Sequence, residues 1–88
     1  MGMIEAKMVR VPEGESAAKT IERLRKDLNN YFSEHDNSCD GYDIRLVKPE
    51  DFDELWETQE TYKKTPEIKE KYRGIASAGK LVYCEIDY

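Results

Sequence analysis

The side chains with the clearest potential for chemistry lie in one acidic stretch, residues 36–43. Oxygen-bearing side chains alternate along it and glycine stands sixth, as in the first half of an EF-hand calcium loop. The acid that such a loop needs at its twelfth position is missing, because Val47 stands there. We therefore predict at most a weak calcium site of another type, formed by Asp36, Ser38, Asp40 and Asp43. The alternative, which we favour, is an acidic turn that caps the preceding helix.

A second reactive set consists of His35, Cys39 and Cys84. These residues could form a zinc site, or a Cys–His pair could act as a nucleophile. Zinc ligands are normally spaced more closely along the chain, however, and Cys84 lies in an apolar segment typical of an inert buried thiol. We therefore expect the chain not to be an enzyme. Two cysteines are too few for a disulfide scaffold, so we expect reduced thiols and a cytoplasmic protein.

The segment from Gly74 to Lys80 has the spacing of a phosphate-binding loop, G-x-x-x-x-G-K. Such a loop joins a strand to the start of a helix, whereas here a helix precedes it and a strand follows. Leu81 also stands where the motif needs a serine or threonine to hold magnesium. We interpret Gly79 instead as the glycine that ends a helix.

Charge is distributed unevenly along the chain. The net charge of −5 argues against a general nucleic-acid binder, because phosphate contacts need clustered Lys and Arg. Six carboxylates and no basic residue lie between Pro49 and Tyr62. Charge segregated in this way can steer a charged partner, although a solvated helix face is the simpler explanation. The predicted partner-binding residues are Glu50, Asp53, Glu54, Glu57, Glu60, Tyr62 and Lys63.

These patterns lead to three functional hypotheses. The first is a small acidic, non-enzymatic domain that binds or regulates another protein, or itself as a homodimer. The second is a weak calcium-binding protein that uses the acidic stretch, and the third is a Cys/His enzyme. No cofactor other than calcium is expected, and no apolar run is long enough to suggest a membrane segment.

Hydrophobic periodicity predicts three helices and three strands. Apolar residues at spacings of three and four predict a helix over Ala17–His35, with Ser16 as its N-cap. Further helices are predicted from Pro49 to Tyr62 and from Pro66, after a threonine cap, to the glycine at 79. Alternating or continuous apolar residues predict strands over 4–11, 42–47 and 80–88.

The predicted elements fit a single α+β domain over residues 1–88. The order is β-α-β-α-α-β, in two layers, with a three-stranded mixed or parallel sheet and the helices packed on one face. Parallel pairing is expected because a strand, a helix and a strand follow one another in about forty residues. The last strand is nearly all apolar from Leu81 to Ile86, so we expect it in the middle of the sheet.

Overall fold

A computed structural model describes residues 4–35 and 41–87 of the chain. It contains the strands β1 (Ile4–Arg10), β2 (Gly41–Leu46) and β3 (Leu81–Asp87), and the helices α1 (Ala17–His35), α2 (Phe52–Thr58) and α3 (Pro66–Ser77). A 3₁₀ turn over Pro49–Asp51 precedes α2. The predicted order of strands and helices is therefore confirmed. No helix in the described parts of the chain is both long and apolar enough to cross a bilayer.

The three strands form one sheet in the order β1-β3-β2. Both outer strands are antiparallel to β3, with Met8 opposite Tyr83 on one side and Ile44 opposite Cys84 on the other. The expected mixed or parallel sheet is thus wrong. β1 and β2 do run in the same direction, but β3 lies between them. The central position predicted for β3 is confirmed, and burial of apolar side chains on both of its faces explains it.

Helices cover both faces of the sheet, so the prediction that all helices pack on one face is also wrong. Side chains alternate along β3, and Leu81 and Tyr83 join the core beneath α2 and α3. Val82, Cys84 and Ile86 join a second core beneath α1. Each face of β3 therefore carries apolar side chains that need a cover, and the result is three layers rather than two.

Local signals at the helix starts are confirmed by the geometry. The Ser16 hydroxyl accepts a hydrogen bond from the Lys19 amide at 3.1 Å, and the Thr65 hydroxyl accepts one from the Ile68 amide at 3.4 Å. Gly79 ends α3 with a φ of +72°, the left-handed conformation expected of a helix-terminating glycine.

α2 ends at Thr58, one turn earlier than predicted, because the following residues bind the outer edge of β1. The Glu60 amide donates to the Ala6 carbonyl at 3.0 Å, and the Met8 amide donates to the Thr61 hydroxyl at the same distance. These long-range hydrogen bonds need an extended chain after residue 58, which a continued helix could not supply.

Candidate functional site

The predicted partner-binding residues lie on α2 and in the segments directly before and after it, and α3 packs beside the helix. We call Glu50, Asp53, Glu54, Glu57 and Glu60 the acidic surface. Their side chains are exposed, whereas Phe52, Leu55 and Trp56 on the other side of the helix are buried. The amphipathic spacing of α2 thus presents the carboxylates to solvent while the aromatic residues anchor the helix to the sheet.

Cations from α3 neutralise one part of the acidic surface. The Arg73 guanidinium donates to the Asp53 carboxylate at 2.8 Å and lies 5.1 Å from the centre of the Phe52 ring. The Lys69 ammonium lies 3.4 Å from Asp53 and 3.8 Å from Glu57. Asp53 and Glu57 therefore hold α2 and α3 together, a role that their positions in the sequence did not reveal.

The pKa of Asp53 lies below its ordinary value for the same reason. The hydrogen bond from Arg73 is the main cause of the lowered pKa, desolvation opposes it, and the positive charges of Arg73 and Lys69 add to it. Asp53 therefore stays ionised to a lower pH than a free aspartate. Its charge is already matched within the chain, which makes it a poor point of contact for an external cation.

The remaining acids are Glu50, Glu54 and Glu60, and their side chains are all exposed. Among the described residues, none of the three takes part in an ion pair. The unneutralised charge of the acidic surface is therefore concentrated on three carboxylates. These groups can attract a cationic group at short range, and salt would screen that attraction.

Tyr62 and Lys63, the other two predicted contact residues, differ in their surroundings. The Tyr62 ring stacks on Tyr72 with 4.2 Å between ring centres and on Trp56 with 6.3 Å. Burial, together with the neighbouring Tyr72 hydroxyl, raises the pKa of Tyr62 to about 12. Tyr62 is therefore largely a packing residue, whereas Lys63 is exposed.

Most of the predicted calcium ligands lie outside the described residues, namely Asp36, Ser38 and Asp40. Asp43 is described, and it lies on β2 with its carboxylate 3.4 Å from the Arg45 guanidinium. In the parts of the chain that the structure describes, no three His, Cys, Asp or Glu side chains lie together in a way that could hold a metal ion. The calcium hypothesis stays a prediction.

The predicted Cys/His set is described only at Cys84. Cys39 lies outside the described residues, and the described part of His35 is its backbone at the end of α1. Cys84 is a free cysteine, buried in the core between β3 and α1, and burial raises the pKa of its thiol. A raised thiol pKa lowers the thiolate fraction, which is the opposite of what a nucleophile needs.

A cationic cleft of about 450 Å³ lies between the loop that joins β1 to α1 and the second half of α3, and sequence reasoning missed it. Arg10, Lys71 and Lys80 line it together with one acid, Glu13. Lys80 follows the carboxyl end of α3, where the helix dipole favours a positive charge. The helix dipole therefore explains why one of the positive charges of the cleft, that of Lys80, lies there. The sequence did contain one indication of this cleft. Residues 71, 74, 75 and 78 are spaced so that they share one face at the end of α3, and that face forms a wall of the cleft.

Comparisons with known proteins add no family or activity to this geometry. No protein-family model, no curated protein and no solved structure shows a significant match to the chain.

Proposed function

We propose that this chain is a small non-enzymatic protein-interaction domain that binds a basic segment of another protein through its acidic surface. The observation that carries the proposal is a set of exposed carboxylates that form no ion pair within the described residues, namely Glu50, Glu54 and Glu60. They lie on or directly beside α2, which a buried aromatic cluster anchors to the sheet. Glu54 lies on α2, Glu50 in the 3₁₀ turn before it, and Glu60 in the segment bound to β1. The fold thus holds the three charges at fixed positions, which reduces the entropy lost on binding.

The partition of charge within the acidic surface supports this assignment. Asp53 and Glu57 are neutralised by Lys69 and Arg73, so α2 is fixed in place by two of its own acids. The other three acids do not contribute ion pairs of this kind within the described residues. Carboxylates that form no ion pair within the described residues are available to a partner and can accelerate its association.

The partner that we propose for the acidic surface is a protein segment rich in Lys or Arg. A second copy of this chain is a separate partner, and it uses a different surface. We also propose a cytoplasmic location, which is consistent with the free thiol of Cys84. Calcium binding and Cys/His catalysis are not proposed, since their residues lie mainly outside the described parts of the chain.

The test is selection from short random peptides displayed on phage against the full chain. We expect Lys- and Arg-rich peptides whose affinity falls with added salt. The triple variant Glu50→Gln, Glu54→Gln, Glu60→Gln should bind these peptides about 10-fold more weakly, because each lost charge contact contributes a few tenths of a kcal/mol.

A matched control separates a site from a general effect of net charge. The triple variant Glu13→Gln, Glu22→Gln, Asp27→Asn removes the same charge from exposed positions elsewhere. It should keep the affinity of the unmodified chain for the selected peptides. Equal losses in the two triple variants would contradict the proposal, and so would a selection that enriches no basic sequence.

A further inference from the structure

The outer edge of β1 is covered by the segment that follows α2. Ala6 accepts a backbone hydrogen bond from Glu60, and Met8 donates one to the Thr61 side chain. These contacts occupy backbone groups that point away from β3. An edge covered in this way is protected against pairing with another strand.

The outer edge of β2 has no such cover within the described residues. The Val47 amide donates to the Leu81 carbonyl at 2.9 Å, which shows that odd-numbered residues of β2 turn their backbone groups toward β3. The amide and carbonyl groups of Tyr42, Ile44 and Leu46 therefore point outward. In the described part of the chain, no group hydrogen-bonds to them.

The side chains of β2 do little to discourage pairing at this edge. The strand Gly41–Leu46 contains neither proline nor lysine, which commonly guard an edge, and its two charged residues, Asp43 and Arg45, have opposite signs and pair with each other. Leu46 is 38% exposed, which makes it one of the most exposed large apolar side chains of the described residues. An open edge with an exposed apolar side chain is suited to receive another strand.

We propose that the occupant of this edge is β2 of a second copy of the chain, paired antiparallel about a two-fold axis at Ile44. In that arrangement Ile44 faces Ile44 of the second copy, and Tyr42 faces its Leu46. The outward amide and carbonyl groups of all three residues then form hydrogen bonds, and the two sheets join into one of six strands.

Charge complementarity selects this register. Pairing about Ile44 places Asp43 opposite Arg45 of the second copy, and Arg45 opposite its Asp43. Asp43 and Arg45 are about half exposed and already lie 3.4 Å apart within the chain, so the dimer would join two ion pairs into one network. Shifting the axis by one residue instead places two copies of Asp43, or two copies of Arg45, opposite each other. Like charges directly opposite destabilise a strand pair.

The helix layers leave room for the joined sheet. α1 packs over β2 and β3, and strands lie about 4.8 Å apart, so a helix midway between these strands lies about 10 Å from its symmetry mate. Helices pack at axial distances of about 8–10 Å. A helix centred between β2 and β3 would thus meet its symmetry mate at a normal packing distance, over the row formed by Tyr42, Ile44 and Leu46.

The test uses sedimentation of the full chain from about 1 µM to about 500 µM, a range that covers weak dimers. The unmodified chain should form a dimer within this range. Asp43→Arg alone and Arg45→Asp alone should each weaken dimerisation about 30-fold, because two attractive pairs become repulsive. An equimolar mixture of these two variants should form a heterodimer, and the double variant Asp43→Arg, Arg45→Asp should dimerise with itself. A circular dichroism spectrum of each variant confirms that it is folded.

Amide hydrogen exchange supplies a second measurement, which reports directly whether the outer edge of β2 forms the interface. The amides of Tyr42, Ile44 and Leu46 should exchange more slowly as the concentration of the chain rises, whereas Asp43→Arg should remove this dependence. Two results would overturn the proposal. One is a monomer at every concentration, which would leave the edge to a different extended segment. The other is a dimer that survives either single substitution unchanged.

Discussion

At the scale of the residue, Gln59 shows how a single buried amide stabilises the chain just beyond the end of a helix. The side chain is fully buried, and its oxygen accepts hydrogen bonds from the amides of Thr61 and Tyr62 at 2.8 and 2.9 Å. Its nitrogen donates to the Tyr62 carbonyl at 3.1 Å. Gln59 thus replaces the bonds that a further helical turn would have supplied, and it holds the segment that covers β1.

Truncation of this amide should therefore be costly. We expect Gln59→Ala to lower the free energy of unfolding by about 2–4 kcal/mol, because it leaves partly buried backbone groups unpaired and opens a cavity. Urea denaturation measures the change. The neighbouring Glu60→Ala removes an exposed side chain and should change stability by less than about 0.5 kcal/mol. Similar losses in the two variants would show that the amide is not the determining group.

Asp53 gives a pH-dependent prediction with a defined sign. The pKa of its carboxyl is depressed from 3.8, chiefly by the hydrogen bond from Arg73, so its contribution to stability is present at neutral pH. That contribution is lost as the pH falls through the lowered folded-state value. Asp53→Asn should therefore be less stable than the unmodified chain near pH 7, and the difference should shrink toward about pH 2. Denaturation at both pH values tests this, with Glu54→Gln, which breaks no described ion pair, as the control. A gap that persists in acid would point to a cause other than ionisation.

At the scale of the element, the two glycines at the end of α3 have opposite roles. Gly79 has a φ of +72°, whereas Gly74 lies within the helix, and an added Cβ would have nothing within 4 Å at either position. Gly79→Ala should lower stability by about 1 kcal/mol through backbone strain alone. Gly74→Ala should raise it by about 0.5–1 kcal/mol through helix propensity. Thermal or urea denaturation of the two variants shows whether each substitution raises or lowers the stability as expected. Destabilisation by Gly74→Ala would contradict the prediction.

Patterns within single elements were predictable from the sequence, while the relations between elements were not. The caps Ser16 and Thr65, the terminating glycine and the central place of β3 follow from local residue types. Alternation along a strand shows that both faces of β3 are apolar, but it does not show the direction of the neighbouring strands. The early end of α2 depends on the outer edge of β1, more than fifty residues away, so no local pattern contains it.

At the scale of the whole molecule, the candidate sites were also predictable in their local residue types and not in the contacts between elements. The acidic surface follows from the spacing of its carboxylates, but the pairing of Asp53 with Arg73 joins two helices whose packing the sequence did not specify. The open edge of β2 also escaped prediction, because it depends on which outer strand the segment after α2 covers, and the covering contacts join residues more than fifty positions apart. Local chemistry therefore identified which side chains carry charge, and the fold determined which of those charges are neutralised.

Burial of Cys84 on the central strand, in the core between the sheet and α1, makes its thiol a reporter of global unfolding. Its side chain is 1% exposed on the central strand, and burial raises the pKa of the thiol, so native molecules should not react with a thiol reagent. In a Cys39→Ser background, labelling should require opening of the whole domain and should follow the unfolded population. Gly74→Ala should then slow labelling about 2- to 5-fold and Gly79→Ala should speed it about 5-fold, in step with their stabilities. A labelling rate that neither substitution changes would contradict this prediction. It would mean that the sheet opens locally around β3 and that the two cores do not unfold as one unit.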